Sequence, residues 1–289
     1  MPAPPPTPRP TRLLSRGNRR LADAGVYTWT LPALSARLNG VTIRTCESAG
    51  ICAHVCYALA GTYRFANVRR RHLANLAYVI EDLPGWEHAM TTELAAARFT
   101  GAWVRIHDAG DFLSDAYTRA WLRVMRATPR TNFYCYTKEI RRFRRLVEPS
   151  PPENFLFVYS FGGRDDQLLD DRRDRVADVF PTRAAIDAAG WHSQEDSDLL
   201  AVLGPAPVGI PANKIAQFLT RLEGRTFRQW QAEDDARRGR RPCSERVNDT
   251  LRRQPRRGPA GLIRAASHRP VDVAPLADSE TPIAETRPS

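Results

Sequence analysis

Three cysteines close together in the chain are the strongest chemical signal in the sequence. Cys46, Cys52 and Cys56 lie in the segment TCESAGICAHVCYALAG, separated by five and then three residues, whereas Cys135 and Cys243 stand alone. Clustered thiols are typical of metal ligands, of a nucleophile with neighbouring thiols, or of a disulfide. Three thiolates from one loop hold one face of a metal centre and leave a fourth position open.

Two kinds of metal centre are compatible with this segment. No second pair of closely spaced cysteines completes a zinc knuckle, so three thiolates with one non-cysteine iron site indicate a [4Fe–4S] cluster. His54 lies between Cys52 and Cys56, which keeps open a zinc site with three cysteines and one histidine. We expect the iron–sulfur cluster, with zinc and a metal-free loop as the alternatives.

Polar residues follow three apolar, strand-like runs farther along the chain. These runs are AWVRIHDAGDF, TNFYCYTKE and FLFVYSFGG. Asp and Gly also simply terminate strands, but that explanation covers three consecutive strand ends less well than one. Since parallel strands bring their carboxyl ends to one edge, we expect an active site there. The polar strand-end residues are His107, Asp108 and Asp111; Thr137, Lys138 and Glu139; and Ser160, Gly162 and Gly163.

Strand-like and helical segments alternate with short connections, which favours a parallel sheet. Among them, residues 165–177 are predicted to be helical and LLAVLG is predicted to be a strand. We therefore predict an α/β fold, a parallel-stranded TIM-like barrel or partial barrel, over residues 21–230. Residues 1–20 are rich in Pro and Arg, and residues 231–289 are charged and rich in Pro. These compositions predict disordered N-terminal and C-terminal arms.

The charge and hydropathy of the chain limit its setting and its partners. No run of about 18 apolar residues is present, and the start of the chain lacks the apolar segment of a secretory signal, so we expect a cytoplasmic protein outside the membrane. The formal net charge of +11 makes nucleic acid a candidate partner. Only Lys138 and Lys214 are lysines, so an amine at these positions is of interest. The arginines predicted to contact phosphates are Arg69, Arg70, Arg71, Arg141, Arg142, Arg144 and Arg145.

The cysteine segment also resembles a known protein family. Together with GVYTWTLPA, VRIHDAGDFLSDAYTRAWLRVMR and FYCYTKE, it resembles the gene product 88 family of actinobacterial phages and their hosts. The resemblance covers roughly residues 25–230. It implies the extent of the domain more than an activity.

A looser resemblance, in the order of the motifs, is to the radical S-adenosylmethionine (SAM) superfamily. That family has a partial barrel, a three-cysteine loop after the first strand and a GGE motif after the second. By this resemblance AGDF, at Ala109, Gly110, Asp111 and Phe112, takes the place of GGE, and Asp111 meets the SAM ammonium group. YTKE and YSFGG supply the next strand ends, with Ser160 and Gly162 near the cofactor. The cysteine spacing here is wider than is usual in that superfamily.

These observations lead to one expected function and two alternatives. We expect an iron–sulfur, radical-SAM-like enzyme that modifies a nucleic acid or nucleotide-like substrate, with Asp108, Asp111 and Lys138 as catalytic residues. The first alternative is a zinc-containing enzyme that resembles guanine transglycosylases and exchanges bases with Asp108 and Asp111. The second is a metal-stapled nucleic-acid-binding protein without catalysis.

Overall fold

The computed structural model describes residues 9–212 and 216–239, and a sheet of seven parallel strands forms their centre. The strands are β1 (Val26–Trp29), β2 (Ser35–Leu38), β3 (Val41–Arg44), β4 (Trp103–Ile106), β5 (Asn132–Thr137), β6 (Phe155–Ser160), β7 (Val176–Phe180), β8 (His192–Ser193) and β9 (Val208–Pro211). The helices are α1 (Arg19–Asp23), α2 (Ala66–Glu81), α3 (Leu83–Leu94), α4 (Asp115–Ala127), α5 (Ile140–Leu146), α6 (Arg183–Ala188), α7 (Leu200–Leu203), α8 (Ala216–Leu222) and α9 (Phe227–Arg237).

The order of the strands is β1-β4-β5-β6-β7-β9-β8. The α/β class and the parallel sheet are thereby confirmed. The described strands do not close into a TIM barrel, because β1 and β8 each have only one neighbour in the sheet. Strands β2 and β3 form a separate antiparallel hairpin. Its turn is Asn39-Gly40, both with positive φ, as this dipeptide predicts.

One face of the sheet is covered by long helices and forms the main hydrophobic core. Trp29 of β1, Trp86 of α3 and Trp121 of α4 are fully buried there. The ring centroid of Trp86 lies 5.6 Å from that of Trp29 and 5.0 Å from that of Trp121. Such tilted aromatic contacts add to the apolar area that the rings bury. This layer fixes β4 and β5, the strands that precede HDAGDF and YTKE.

The opposite face of the sheet is partly polar. Side chains alternate between the two faces of a strand, so Arg105, Tyr134 and Tyr136 share this face with a smaller apolar cluster. Helix α7 packs on the cluster through Ala201 and Val202. Arg105, a charged side chain on the inner strand β4, therefore lies on the face of the sheet opposite the long helices.

Three segments differ from their predicted structures. Leu13 and Leu14 of the predicted N-terminal arm are buried, and the Leu13 amide donates to Glu93, so the packed part of the chain begins before residue 21. Residues 165–177, predicted to be helical, contain a 3-10 turn and the start of β7. LLAVLG, predicted to be a strand, is mainly helix α7, because Ala201 and Val202 pack on the sheet face rather than pairing with it.

No helix among residues 9–212 and 216–239 is both long and apolar enough to cross a membrane. Lys214, the second lysine of the chain, falls outside the described residues. The predicted C-terminal tail does so from residue 240 onward, which includes Cys243, whereas its first residues belong to α9.

Candidate functional site

A cavity of about 910 Å³ opens at the carboxyl ends of the central strands. Parallel α/β sheets use this edge for ligands. The cysteine segment lines this cavity, together with residues at the ends of β4, β5 and β6. The predicted site residues that line it are Cys46, Cys52, Cys56, Asp108, Ala109, Gly110, Asp111, Lys138 and Ser160.

The loop that carries the cysteines is built from short 3-10 turns and is held by hydrogen bonds to distant elements. The amides of Gly50 and Cys52 donate to the carbonyl of Gly162, at 3.0 and 3.2 Å. The Ile51 amide donates to the Gln231 side chain of α9 at 2.8 Å. Gly162 has φ of +96°, and a Cβ there would lie 2.7 Å from the Phe227 ring. Gly162 therefore anchors the cysteine loop through its backbone carbonyl.

The three thiols face the cavity from a half-buried position. Burial raises the pKa of Cys46 to about 12 and that of Cys52 to about 11. Burial also raises the pKa of Cys56, but the amides of Ala58 and Leu59 donate to its sulfur and oppose the rise. Without a ligand, the thiols are therefore protonated at neutral pH.

The thiols do not form a closed single-ion site. Among residues 9–212 and 216–239, no three His, Cys, Asp or Glu side chains are arranged to hold a metal ion. Sulfurs that share one zinc ion lie about 3.8 Å apart, as the Zn–S bond length of about 2.3 Å and tetrahedral angles require. His54, the proposed fourth zinc ligand, instead packs beside Trp230, with ring centroids 6.1 Å apart.

Asp111 is a buried carboxylate whose two oxygens already have partners. Its Oδ1 accepts hydrogen bonds from the Phe112 amide and the Thr137 hydroxyl, each at 2.8 Å. Its Oδ2 accepts from the Lys138 amide at 2.9 Å. Burial raises its pKa, and these donors oppose the rise. Asp111 therefore ties the end of β4 to the end of β5, and both of its oxygens take part in this link.

Lys138 projects into the cavity next to the cysteine loop. Its Nζ donates to the Ser160 hydroxyl at 2.8 Å, rather than to the side chain of Asp108 or Asp111. Its positive charge lowers the pKa of both Cys52 and Cys56, against the larger effect of burial. The amine thus stabilises the thiolate forms of two of the three cysteines.

Asp108 lies on the other side of the cavity in a network of phenols. Its Oδ2 accepts a hydrogen bond from the Tyr63 hydroxyl, and its backbone carbonyl accepts one from Tyr57. Arg105 lies 3.6 Å from Asp108 and 3.2 Å from Asp198, so one guanidinium group bridges two carboxylates. Asp108 and Asp198 together exceed the charge of Arg105 by one negative charge. This part of the wall suits a cationic or hydrogen-bond-donating group.

Sequence reasoning missed two members of this network. Arg105 carries a usable signal, because a charged residue within the apolar strand WVRI has to face a polar space or a partner. Asp198 carries none, since it belongs to the polar run SQEDSD and reaches the site only through the fold. There it accepts hydrogen bonds from Tyr134 and Tyr136.

His107 lies at the wall of the cavity but is almost fully buried. It is 4% exposed, and its Nε2 lies 2.8 Å from the Tyr117 hydroxyl, which accepts a hydrogen bond from Trp29. Burial lowers its pKa to about 3, so the ring is neutral. Its neutral ring and its aromatic neighbours make His107 a packed residue of the core.

The predicted arginine patches have different environments. On α5 all four arginines pair with carboxylates, which favours a structural role. Arg71 donates to the carbonyl of Leu14, at 3.2 Å. No ion pair of Arg69 or Arg70 is found among the described residues. The α5 pairs are Arg141–Asp165 (2.9 Å), Arg142–Asp115 (3.0 Å), Arg144–Asp174 (3.0 Å) and Arg145–Asp115 (2.6 Å).

Comparison with known proteins identifies the family of this chain. No curated protein and no solved structure shows significant similarity to the chain. The looser resemblance to the radical SAM superfamily gains no support from these comparisons and stays a prediction. A family model described as gene product 88 matches residues 12–242, which is most of the chain and begins just before the buried Leu13. The chain belongs to the gene product 88 family.

Proposed function

We propose that this protein is an iron–sulfur enzyme that uses SAM to modify a nucleotide-like group of a nucleic acid or a related small molecule. The observation that carries the proposal is the meeting of two features in one cavity. Three thiols line it on one side, and polar residues from three strand ends line the rest. Its volume, about 910 Å³, is at the upper end for ligand pockets and suits a cofactor together with a substrate group.

The donor set fits a cluster better than a single ion. The three thiols share a cavity without the close grouping that one ion requires. A four-iron cluster is larger than an ion and holds its thiolates farther apart. The amides of Ala58 and Leu59 at the Cys56 sulfur, with the Lys138 amine nearby, stabilise thiolates, the form that binds metal. When bound, such a cluster offers an open iron to the amino and carboxylate groups of SAM and supplies an electron for its cleavage.

The other polar residues of the cavity have separate roles in binding and positioning. Asp108, with one oxygen not used by Tyr63, is the carboxylate that can accept a hydrogen bond from a substrate or from the SAM ammonium group. Lys138 and Ser160 offer an amine and a hydroxyl to a carboxylate or phosphate. Asp111 positions YTKE and does not contact ligands. This division replaces the role that the GGE resemblance implied for Asp111.

The backbone of HDAGDF brings Asp108 to the cavity wall. Gly110 has φ of +83°, and a Cβ there would lie 2.7 Å from Cβ of Leu31. The Leu31 amide donates to the Ala109 carbonyl at 3.0 Å. Only glycine allows this close turn.

The parallel strands and the polar residues at their ends also support a partial-barrel arrangement of the sheet.

Metal and sulfide analysis of anaerobically purified and reconstituted protein tests the proposal. We expect about four iron and four sulfide per chain and absorption at about 400 nm. Replacement of Cys46, Cys52 or Cys56 by Ala lowers both contents. The matched control is Cys135→Ala, because Cys135 is buried in β5 and packs in the core.

Other metal contents would contradict the proposal. A colourless protein with one zinc per chain would favour the base-exchange alternative, in which Asp108 acts as nucleophile or base. Equal iron loss in the Cys135 variant and the loop variants would mean that the loop thiols are not specific ligands.

A further inference from the structure

The mouth of the cavity carries a patch of exposed aromatic, aliphatic and basic side chains. We define this rim patch as Tyr57, Leu59, Arg64, Phe65 and Arg69. Leu59 is 53% exposed and Phe65 is 59% exposed, unusually high values for large apolar residues. The patch falls within residues 57–69, from the end of the cysteine loop to the first turn of α2.

The rim patch adjoins the cavity because residues of the same segment alternate between the two. Tyr63, Val68 and His72 line the cavity, while Phe65 and Arg69 face solvent. On α2, residues 68 and 72 are one helical turn apart and share a face, which places residues 65 and 69 on its flank. A polymer that runs over the rim patch therefore passes next to the cavity.

The arginines of the rim patch are free to bind an anion. Within the part of the chain that the structure describes, Arg64 and Arg69 form no ion pair and donate no side-chain hydrogen bond. The α5 arginines, in contrast, are each neutralised by a carboxylate. Unpaired arginines next to exposed rings complement a chain of phosphates and bases.

We infer that the rim patch binds single-stranded nucleic acid and directs one nucleotide into the cavity. Arginines contact phosphates without reading sequence, and aromatic faces stack on bases. An intact duplex hides its base faces, so Phe65 and Leu59 would gain nothing from it. A cavity of about 910 Å³ admits an unstacked nucleotide. This inference relies on the proposed function only for the nucleotide character of the substrate.

Fluorescence anisotropy with the full chain and labelled DNA and RNA strands of about 12 nucleotides tests the inference. The salt dependence, between about 50 and 200 mM, separates phosphate contacts from stacking. The double variant R64A/R69A removes two phosphate contacts, so its log–log salt slope should fall in magnitude by about 1.4. F65A should weaken binding by roughly 5- to 150-fold with an unchanged slope.

The matched control for charge is R119A/R130A. Arg119 and Arg130 are exposed, have no ion pair among the described residues, and lie on α4 and before β5. We expect this control to keep the wild-type salt slope. Residues 240–289 are present in every variant, so any contribution that they make to binding is the same in all of them. An equal fall in slope for both double variants would overturn the inference. So would tighter binding to a duplex that F65A does not affect, or no binding to strands.

The two proposals fail separately. The R64A/R69A variant should keep the wild-type iron and sulfide content, because neither arginine contacts the cysteines. A protein without iron that still binds single-stranded nucleic acid through Arg64 and Arg69 would refute only the proposed function. A protein with a full cluster and no such binding would sink only the rim-patch inference.

Discussion

Replacing Asp111 by Ala tests whether this carboxylate is a structural clamp rather than a ligand-binding acid. The side chain is 7% exposed and accepts hydrogen bonds from the amides of Phe112 and Lys138 and from the Thr137 hydroxyl. Alanine removes the acceptor of all three donors. The loops after β4 and β5 then lose the group that joins them.

The size of the loss follows from the donors left without partners. A buried donor deprived of its acceptor costs about 1–3 kcal/mol, so three donors give a range of about 3–9 kcal/mol. Burial disfavours the charged form of Asp111 and raises its pKa, and the substitution relieves that cost. Water in the adjacent cavity can also reach part of the vacated space. We therefore expect the free energy of unfolding to fall by about 3–5 kcal/mol.

Urea unfolding measures this loss, with m-values compared to confirm that the same surface is exposed. In a thermal melt, the same loss lowers Tm by roughly 6–20 °C for a domain of this size. Asp115→Ala is the control, because Asp115 pairs with Arg142 and Arg145 at the surface and should cost about 1 kcal/mol. An Asp111→Ala protein within about 1 kcal/mol of wild type, with an unchanged m-value, would refute the clamp.

Two further predictions concern titrating groups around the cavity. Burial raises the pKa of Asp166 from the usual 3.8 to about 7, so the native state binds more protons than the unfolded state across this range. The contribution of Asp166 to the free energy of unfolding therefore falls as pH rises from about 4 to about 7, and Asp166→Asn should flatten that fall in urea titrations at several pH values. Lys138→Met should slow the alkylation of Cys52 and Cys56 by iodoacetamide, followed by mass spectrometry, because it removes the charge that lowers their pKa. An unchanged alkylation rate for both thiols would contradict the placement of that amine.

Element types were predictable where the pattern was long or the capping signal was local. Ser114 predicts the start of α4, and its hydroxyl does accept from the Tyr117 amide at 3.1 Å. Short apolar runs were ambiguous. LLAVLG forms a helix because its apolar residues pack on the sheet, and β9 was missed because Gly209 and Pro211 resemble turn residues.

The location of the candidate site was also predictable, because strand ends of a parallel sheet meet at one edge whatever the details of packing. The role of each side chain there was not. Asp108 and Asp111 are three residues apart and identical in type, and nothing local says which one is held by the donors of Phe112 and YTKE. Gly110, with its positive φ, turns the backbone between them. Such a division of roles depends on partners from β5 and from the cysteine loop, which sequence order does not reveal.

This division of roles bears on how the cavity works. A carboxylate held by three donors, as Asp111 is, keeps its position whether or not a ligand is present. Lys138, whose backbone amide is one of those donors, thereby has its amine aimed at Ser160 and the thiols before any cofactor arrives. Asp108 is held by a phenol and by an arginine that it shares with Asp198, so its environment contains a net negative charge. The cavity therefore has a fixed amine beside the cysteines and an anionic side at Asp108. A ligand with an anionic group near Lys138 and a cationic or donor group near Asp108 would be oriented by these two fixed groups.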